Sequence, residues 1–389
     1  MTNEVKNVPE LRFPGFEDEW KEKKLGTIFT VTMGQSPNST NYTDNPNDTI
    51  LVQGNADIYK GKIWPRIYTK EITKLLERND IILSVRAPVG EIGIAQVEAC
   101  IGRGVCSIKG NKFLYYFLDL FKKQNRWSRF SQGSTFESIS GKDIRDLKFY
   151  VCNSEEQNKI GKFFNKLDRQ IELEEQKLEK LEEQKKGYMQ KIFSQELRFK
   201  DENGQEYPAW INKKLGDIGK VSMNKRIYKN ETSINGEIPF YKIGTFGKEA
   251  ETFISREKFE EYKNKYPYPE KGDILISASG SIGRTIEYDG EEAYYQDSNI
   301  VWLDHNDEVL NIFLKYIYSV IKWSGIEGTT IKRLYNKDIL NTKIDLPVIK
   351  EQEKIGNFFG KIDDSIEKQS SKIGVLKQRK KGFLQKMFV

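Results

Sequence analysis

The chain has 389 residues, with 63 Lys plus Arg against 57 Asp plus Glu, and a chain of that length has room for two to four domains of ordinary size. Its net charge of +6 falls short of the basic excess that by itself announces nucleic acid, so charge permits a DNA partner without requiring one. The start MTNEVKNVPELRF lacks a signal-peptide core, no stretch approaches the ~18 apolar residues of a membrane span, and Cys100, Cys106, Cys152 and the single His305 make neither a disulfide framework nor a Cys/His zinc site.

These features predict a cytoplasmic protein without a membrane partner, its cysteines reduced and partly buried. An N-terminal arm over 1–18 carries Glu10-Leu-Arg-Phe13, and a globular module over 19–152 follows. Within it, β-type runs such as Ile81-Ile-Leu-Ser-Val85 and Gly93-Ile-Ala95 are punctuated by Gly and Pro, and Asn111 to Gln124 carries Tyr115, Phe117 and Phe121 at helical spacing, which marks them as core. Residues 153–195 read as one long helix whose apolar seam steps by four and three: Ile160, Phe164, Leu167, Ile171, Leu178, Leu181, Tyr188, Ile192. A second module spans 196–346, with strands at Asp273-Ile-Leu-Ile-Ser277 and Asn299-Ile-Val-Trp-Leu303 and a helix over Glu308 to Lys322. The last segment, 347–389, repeats the seam as Ile355, Phe359, Ile362, Ile366, Ile373, Leu376, Phe383, Met387.

The two helices are copies. Glu156-Gln-Asn-Lys-Ile-Gly-Lys-Phe-Phe-Asn-Lys-Leu-Asp-Arg-Gln-Ile-Glu172 matches Glu351-Gln-Glu-Lys-Ile-Gly-Asn-Phe-Phe-Gly-Lys-Ile-Asp-Asp-Ser-Ile-Glu367 at 11 of 17 positions. The same shift of 195 carries Lys185-Lys186-Gly187 onto Lys380-Lys381-Gly382 without a gap. Each seam is broken by polar residues at equivalent places, Glu174 and Lys185 against Gln369 and Lys380. A 3.5-residue period with polar breaks is a coiled-coil signature in which the breaks fix register, and charged flanks argue against a helix docked only on its own module, which shows a wider stripe. The seam residues are therefore expected to pair helix with helix.

The modules repeat more loosely, Lys23-Lys-Leu-Gly-Thr-Ile28 against Lys213-Lys-Leu-Gly-Asp-Ile218 and Asp80-Ile-Ile-Leu-Ser84 against Asp273-Ile-Leu-Ile-Ser277. Glu196-Leu-Arg-Phe199 with Trp210 follows the central helix, whereas the chain ends after the second helix and begins with Glu10-Leu-Arg-Phe13 and Trp20. One motif is whole at the centre and split between the termini. The expected fold is α+β: two similar globular domains joined by two long α-helices in an antiparallel coiled coil, pseudo-two-fold and pseudo-circular.

Catalytic motifs are missing. Gly244-Thr-Phe-Gly-Lys248 lacks the Ser or Thr of a phosphate loop, no dinucleotide fingerprint follows a strand, and His305 sits in the turn composition Asp304-His-Asn-Asp307. DNA readers use Lys, Arg, hydroxyls and amides on phosphates and base edges, and loops at matched places offer them. In the first module the candidates are Gln35, Ser36, Arg86, Arg103, Ser134, Thr135 and Lys142; in the second, Lys225, Arg226, Ser279, Ser281, Arg284, Thr329, Thr330, Lys332, Arg333 and Lys337.

The doubled Glu-Gln-x-Lys-Ile-Gly helices, the Lys-Lys-Gly helix ends and the split Leu-Arg-Phe motif together resemble the specificity subunit (HsdS) of type I restriction–modification systems, over essentially the whole chain. The resemblance implies two target recognition domains, each reading one half of a bipartite site on double-stranded DNA, with the helices setting the gap. It implies docking of two methyltransferase subunits, with restriction/translocase subunits as further partners. S-adenosylmethionine, ATP and Mg would then belong to partner subunits, and this chain would not be an enzyme. Base-reading residues do not carry over between members. The competing reading of the same residues is a coiled-coil adaptor that never touches DNA.

Overall fold

Branched and aromatic runs bounded by Gly, Pro and Asn turns form short strands in both modules. The computed structural model describes residues 7–130, 138–325 and 333–389. Their contacts divide the chain into two units, residues 1–176 with 371–389, and residues 177–370. Each long helix contributes to both.

In the first unit a six-stranded sheet runs in the order Thr30–Met33, Val105–Lys109, Ile81–Ser84, Ile92–Ile94, Lys62–Ile63, Ile58–Tyr59. Ile81–Ser84 is buried along its whole length, as a strand flanked on both sides and covered by a helix requires. The cover is Lys112–Lys123, which buries Phe113, Leu114, Tyr116, Phe117, Leu118, Leu120 and Phe121; it starts where it does because the Asn111 side chain accepts the Leu114 N–H at 3.0 Å. A second, five-stranded sheet centres on Thr49–Val52.

The second unit keeps the plan with fewer strands. Gly219–Ser222, Ile300–His305, Ile274–Ser277 and Thr285–Glu287 form one sheet, and a three-stranded sheet centres on Ile238–Tyr241. The helix expected over 308–322 is only Asn311–Ile317. The segment ahead of it is held by the second long helix: the Gln352 side chain accepts the Leu310 N–H at 2.9 Å and donates to the Glu308 carbonyl at 2.9 Å.

Ser154–Phe193 is an unbroken helix of 40 residues and Ile349–Lys386 one of 38. Within the first unit they run antiparallel, Phe163 meeting Phe383 at 5.2 Å between ring centroids, and Asp168 and Glu175 pairing with Lys380 and Lys377 at 2.5 and 2.6 Å. Within the second, Tyr188 meets Phe358 at 5.2 Å and Lys185 pairs with Asp363 at 2.5 Å. The seam does two jobs. Ile160 and Phe164, and equally Ile355 and Phe359, lie in the cores of their globular units, with Phe164 against Tyr116 and Phe359 against Tyr316, each at 5.0 Å. Ile171, Ile373 and Leu376 are buried, while Leu167, Leu178, Leu181, Ile362 and Ile366 are half-buried, as a narrow two-helix seam leaves them. Docking and pairing are thus not alternatives: each helix docks at its start, pairs along its middle and docks again at its end, where Ile192 and Met387 lie in the globular cores.

The polar breaks at Lys185 and Lys380 share one arrangement, with Asp119 an added neighbour of Lys380 at 3.7 Å. Tyr116 donates to Asp168 at 2.8 Å, and Lys380 reaches the same carboxylate while lying 5.4 Å over the Tyr116 ring. In the second unit Tyr316, Asp363 and Lys185 repeat this at 2.9, 2.5 and 5.4 Å. Burial and the adjacent Asp168 hold the Tyr116 phenol well above its ordinary range, and burial with Asp363 does the same to Tyr316; both stay neutral donors.

Every residue of the split motif has a task. Arg198 meets the fully buried Glu351 with two hydrogen bonds of 3.2 and 2.7 Å, and Arg12 meets the fully buried Glu156 with two of 2.7 and 2.8 Å. Leu197 N–H donates to the Lys191 carbonyl at 3.0 Å; Leu11 N–H donates to the Lys386 carbonyl at 2.8 Å. Phe199 packs on Phe358 and Phe13 on Phe163, at 5.5 and 5.8 Å. The chain's two ends therefore meet through the bonds that the continuous chain makes at its centre, which is pseudo-circularity at the level of atoms.

Candidate nucleic-acid interface

Each unit carries the same turn after its buried central strand. In the first, Ser84 Oγ accepts the Glu91 N–H at 2.8 Å and donates to the Pro88 carbonyl at 3.0 Å. In the second, Ser277 Oγ accepts the Arg284 N–H at 3.0 Å and donates to the Ser281 carbonyl. Gly90 and Gly283 close these turns with φ of +89° and +76°, a region that favours glycine. A Cβ on either would also strike a tryptophan, Trp127 or Trp323, at 2.3 or 2.5 Å.

Beyond the central strand a returning segment adds one antiparallel bridge, Arg86 to Ser138 in the first unit and Ser279 to Arg333 in the second. The bridges are equivalent, since Ile139 N–H donates to the Val85 carbonyl at 2.9 Å and Leu334 N–H to the Ala278 carbonyl at 2.8 Å. Arginine and serine have exchanged sides. The facing strand continues this inversion: the Ser84 to Val105 register, extended by the Val85 N–H to Gly104 carbonyl bond of 2.8 Å, sets Arg86 opposite Arg103. In the second unit, the Ser277 to Ile300 register and the Ala278 to Asn299 bond of 2.7 Å set Ser279 opposite Ser298. One scaffold thus presents two arginines and a serine in one unit, two serines and an arginine in the other.

Around Arg86 and Arg103 lies a polar cleft of about 300 Å³, lined also by Ser36, Tyr42, Gln53 and Asn55. Its walls are fixed: Ser36 Oγ accepts the Arg103 N–H at 3.1 Å, Gln53 Nε2 donates to Tyr42 Oη at 2.7 Å, and buried Asp57 takes the Gln53 and Gly54 N–H groups at 2.8 and 3.1 Å. Gly104 lets the loops close, because a Cβ there would lie 2.0 Å from the Gln53 carbonyl oxygen. In the second unit Arg226 is held by Asp297 at 2.8 Å, Ser279 Oγ donates to Asn299 Oδ1 at 2.8 Å, and Arg333 donates to the Ser298 carbonyl at 3.1 Å.

The remaining candidates separate. Gln35 is exposed beside the cleft, its N–H on the Ile101 carbonyl at 2.9 Å. Lys225 lies over the Tyr266 ring at 5.2 Å, Arg284 reaches the Gly247 carbonyl at 3.4 Å, and Ser281 is exposed on the stapled turn. Lys142 and Lys337 are exposed on the short helices Gly141–Asp146 and Asn336–Asn341, and neither lines the cleft. Ser134, Thr135, Thr329, Thr330 and Lys332 lie outside the described residues. Sequence reasoning passed over Tyr42, Gln53 and Asn55; the signal was the Gln-Gly-Asn turn directly after the strand Thr49–Val52.

Elsewhere the chemistry is quiet. His305 bonds the Asn306 carbonyl and the Asn311 side chain, each at 2.9 Å. Burial pushes the Cys106 thiol up to about 12, and burial with nearby Glu156 raises Cys152 to about 12; the cysteines are free. Among the described residues no three His, Cys, Asp or Glu side chains group as metal ligands, and no helix is long and apolar enough to cross a membrane.

A family model, the type I restriction modification DNA specificity domain, matches residues 17–183 and again 208–376. The chain belongs to that family. Its two matches cover the two globular units together with most of both long helices. A putative type I restriction enzyme specificity subunit of Haemophilus influenzae is 58% identical over 151 residues, 38% of this chain and 39% of that protein. The putative MjaX specificity subunit of Methanocaldococcus jannaschii is 33% identical over 208 residues, 51% of this chain and 46% of that one. The chain thus spans less than half the length of these two relatives. The crystal structure of a type I restriction–modification system S subunit from M. genitalium shares the fold, with a TM-score of 0.62 at 19% identity over 98% of this chain and 99% of that one.

Proposed function

We propose that this chain is the DNA-recognition subunit of a type I restriction–modification complex, each globular unit reading one half of a bipartite site. The observation that carries this reading is the inverted set of arginines and serines on one conserved pair of bridges. A scaffold held constant while its presented donors change is what two different half-sites require. The duplicated helices supply equivalent surfaces for two methyltransferase subunits and act as the spacer between the reading surfaces, with restriction/translocase subunits joining that assembly in the cytoplasm. S-adenosylmethionine, ATP and Mg belong on this reading to the partners, and this chain contributes recognition without chemistry.

The test is a module exchange. Residues 20–150 are replaced by the matching segment of a relative, the chain is expressed with its methyltransferase partners, and methylated sites are mapped across the genome. One half of the methylated motif is expected to change while the other stays. A change in both halves, or methylation without any motif, overturns the reading; the latter outcome favours an adaptor that does not itself read DNA.

A further inference from the structure

The paired arginines of the first unit raise a question of cost. Like charges directly opposite one another destabilise a strand pair, yet Arg86 and Arg103 face each other just past the Ser84 to Val105 ladder, both exposed. Among the described residues neither guanidinium forms an ion pair with a carboxylate, whereas Arg226 in the second unit is tied to Asp297. Two uncompensated guanidinium forks at the mouth of a cleft fit an electron-rich ligand edge.

DNA offers two such edges, phosphate oxygens and the O6/N7 edge of guanine. A phosphate contact serves any sequence equally, so two modules on one scaffold have no cause to exchange it. The second unit has replaced both positions by Ser279 and Ser298 while keeping the supporting bonds, Val85 to Gly104 matched by Ala278 to Asn299. The neighbours Gln53 and Asn55 are also base-edge types rather than simple charges.

Resting on the function proposed above, we infer that Arg86 and Arg103 are specificity-determining residues that read guanine in the first unit's half-site through bidentate hydrogen bonds to O6 and N7. A good bidentate pair discriminates by ~1–3 kcal/mol, which is about 5- to 140-fold in affinity.

The experiment uses the full chain assembled with its methyltransferase subunits, on duplexes bearing the mapped site. Each guanine of the first unit's half-site is replaced in turn by 7-deazaguanine, which lacks the N7 acceptor. At one or two positions binding is expected to weaken several-fold or more, and Arg86→Ala or Arg103→Ala should weaken the natural duplex and remove the sensitivity to that substitution. The charge-conserving Arg86→Lys and Arg103→Lys should keep the salt dependence of binding but weaken discrimination at that position, since a lysine ammonium still donates to O6 or N7 and lacks the planar fork. Sensitivity to 7-deazaguanine that persists in the alanine variants, or a half-site without guanine, overturns the inference. A wild-type complex without any sequence preference fails the function proposal instead, so the two failures are told apart.

Discussion

Arg12 and Arg198 do the same work with different support. Each neutralises a glutamate that is fully buried at the start of a long helix, and removing one partner of a buried ion pair strands the other charge at ~3–5 kcal/mol. Glu351 has a second strong donor, the Trp210 indole N–H at 2.9 Å, whereas the equivalent Trp20 indole N–H is buried without a hydrogen bond and Glu156 has besides Arg12, among the described residues, only the weakly donating Cys152 thiol. Arg12→Ala is therefore expected to destabilise its unit more than Arg198→Ala does, read as hydrogen-exchange protection of each unit's buried strands. Equal losses would remove the indole from the account. Nothing in the sequence ranked these two pairs: in a chain that is 31% charged, a lone Arg and a lone Glu look like solvated surface until 144 or 153 positions of chain are folded between them. The cleft was legible only in part for a similar reason. Arg86 and Arg103 stood out by type, but their opposition depends on strand register, and Gln53 enters through a parallel pairing of the adjoining strand Thr49–Val52 with Ala99–Ile101 that no local pattern announces.

Among elements, the helices were the most legible because a 3.5-residue period needs only the order of apolar and polar residues. The breaks at Lys185 and Lys380 were visible as positions, but their partners were not, since Tyr116 and Tyr316 arrive from separate helices. Those breaks set register through paired charge, and the second unit offers the cleaner test because Lys380 also lies 3.7 Å from Asp119. Lys185→Glu puts like charge against Asp363 and is expected to lower stability; adding Asp363→Lys restores an opposite pair and recovers most of the loss. A double-mutant cycle in denaturant should give a coupling of ~0.5–3 kcal/mol. A coupling near zero would mean that the apolar seam alone holds register and that Tyr316, Asp363 and Lys185 are passengers.

For the whole molecule, the position of the termini carries the sharpest consequence. The centre of the chain joins helix to motif through Ser194-Gln195-Glu196, with Gln195 at φ +61° and Glu196 facing Lys191 at 3.7 Å. At the ends, Glu10 faces Lys386 at 2.5 Å and Leu11 already bonds the Lys386 carbonyl, so Val389 and Glu10 stand where Ser194 and Glu196 stand. One residue is missing between them. A glycine there supplies the left-handed conformation that Gln195 adopts without a side-chain penalty. A permuted chain that begins at Glu196, runs to Val389, continues through one glycine to Glu10 and ends at Gln195 keeps the Leu, Arg and Phe contacts of both motif copies; it loses the covalent link at the new ends and, with residues 1–9, the Asn7 carbonyl that accepts the Trp20 N–H at 2.9 Å. It is expected to fold, assemble and direct methylation to the same bipartite motif, because neither unit's core nor its bridges are cut. Mapping methylated sites in cells that express the permutant checks this. A soluble permutant that directs a different motif would show that the covalent order of the two units, and not only their internal packing, enters recognition.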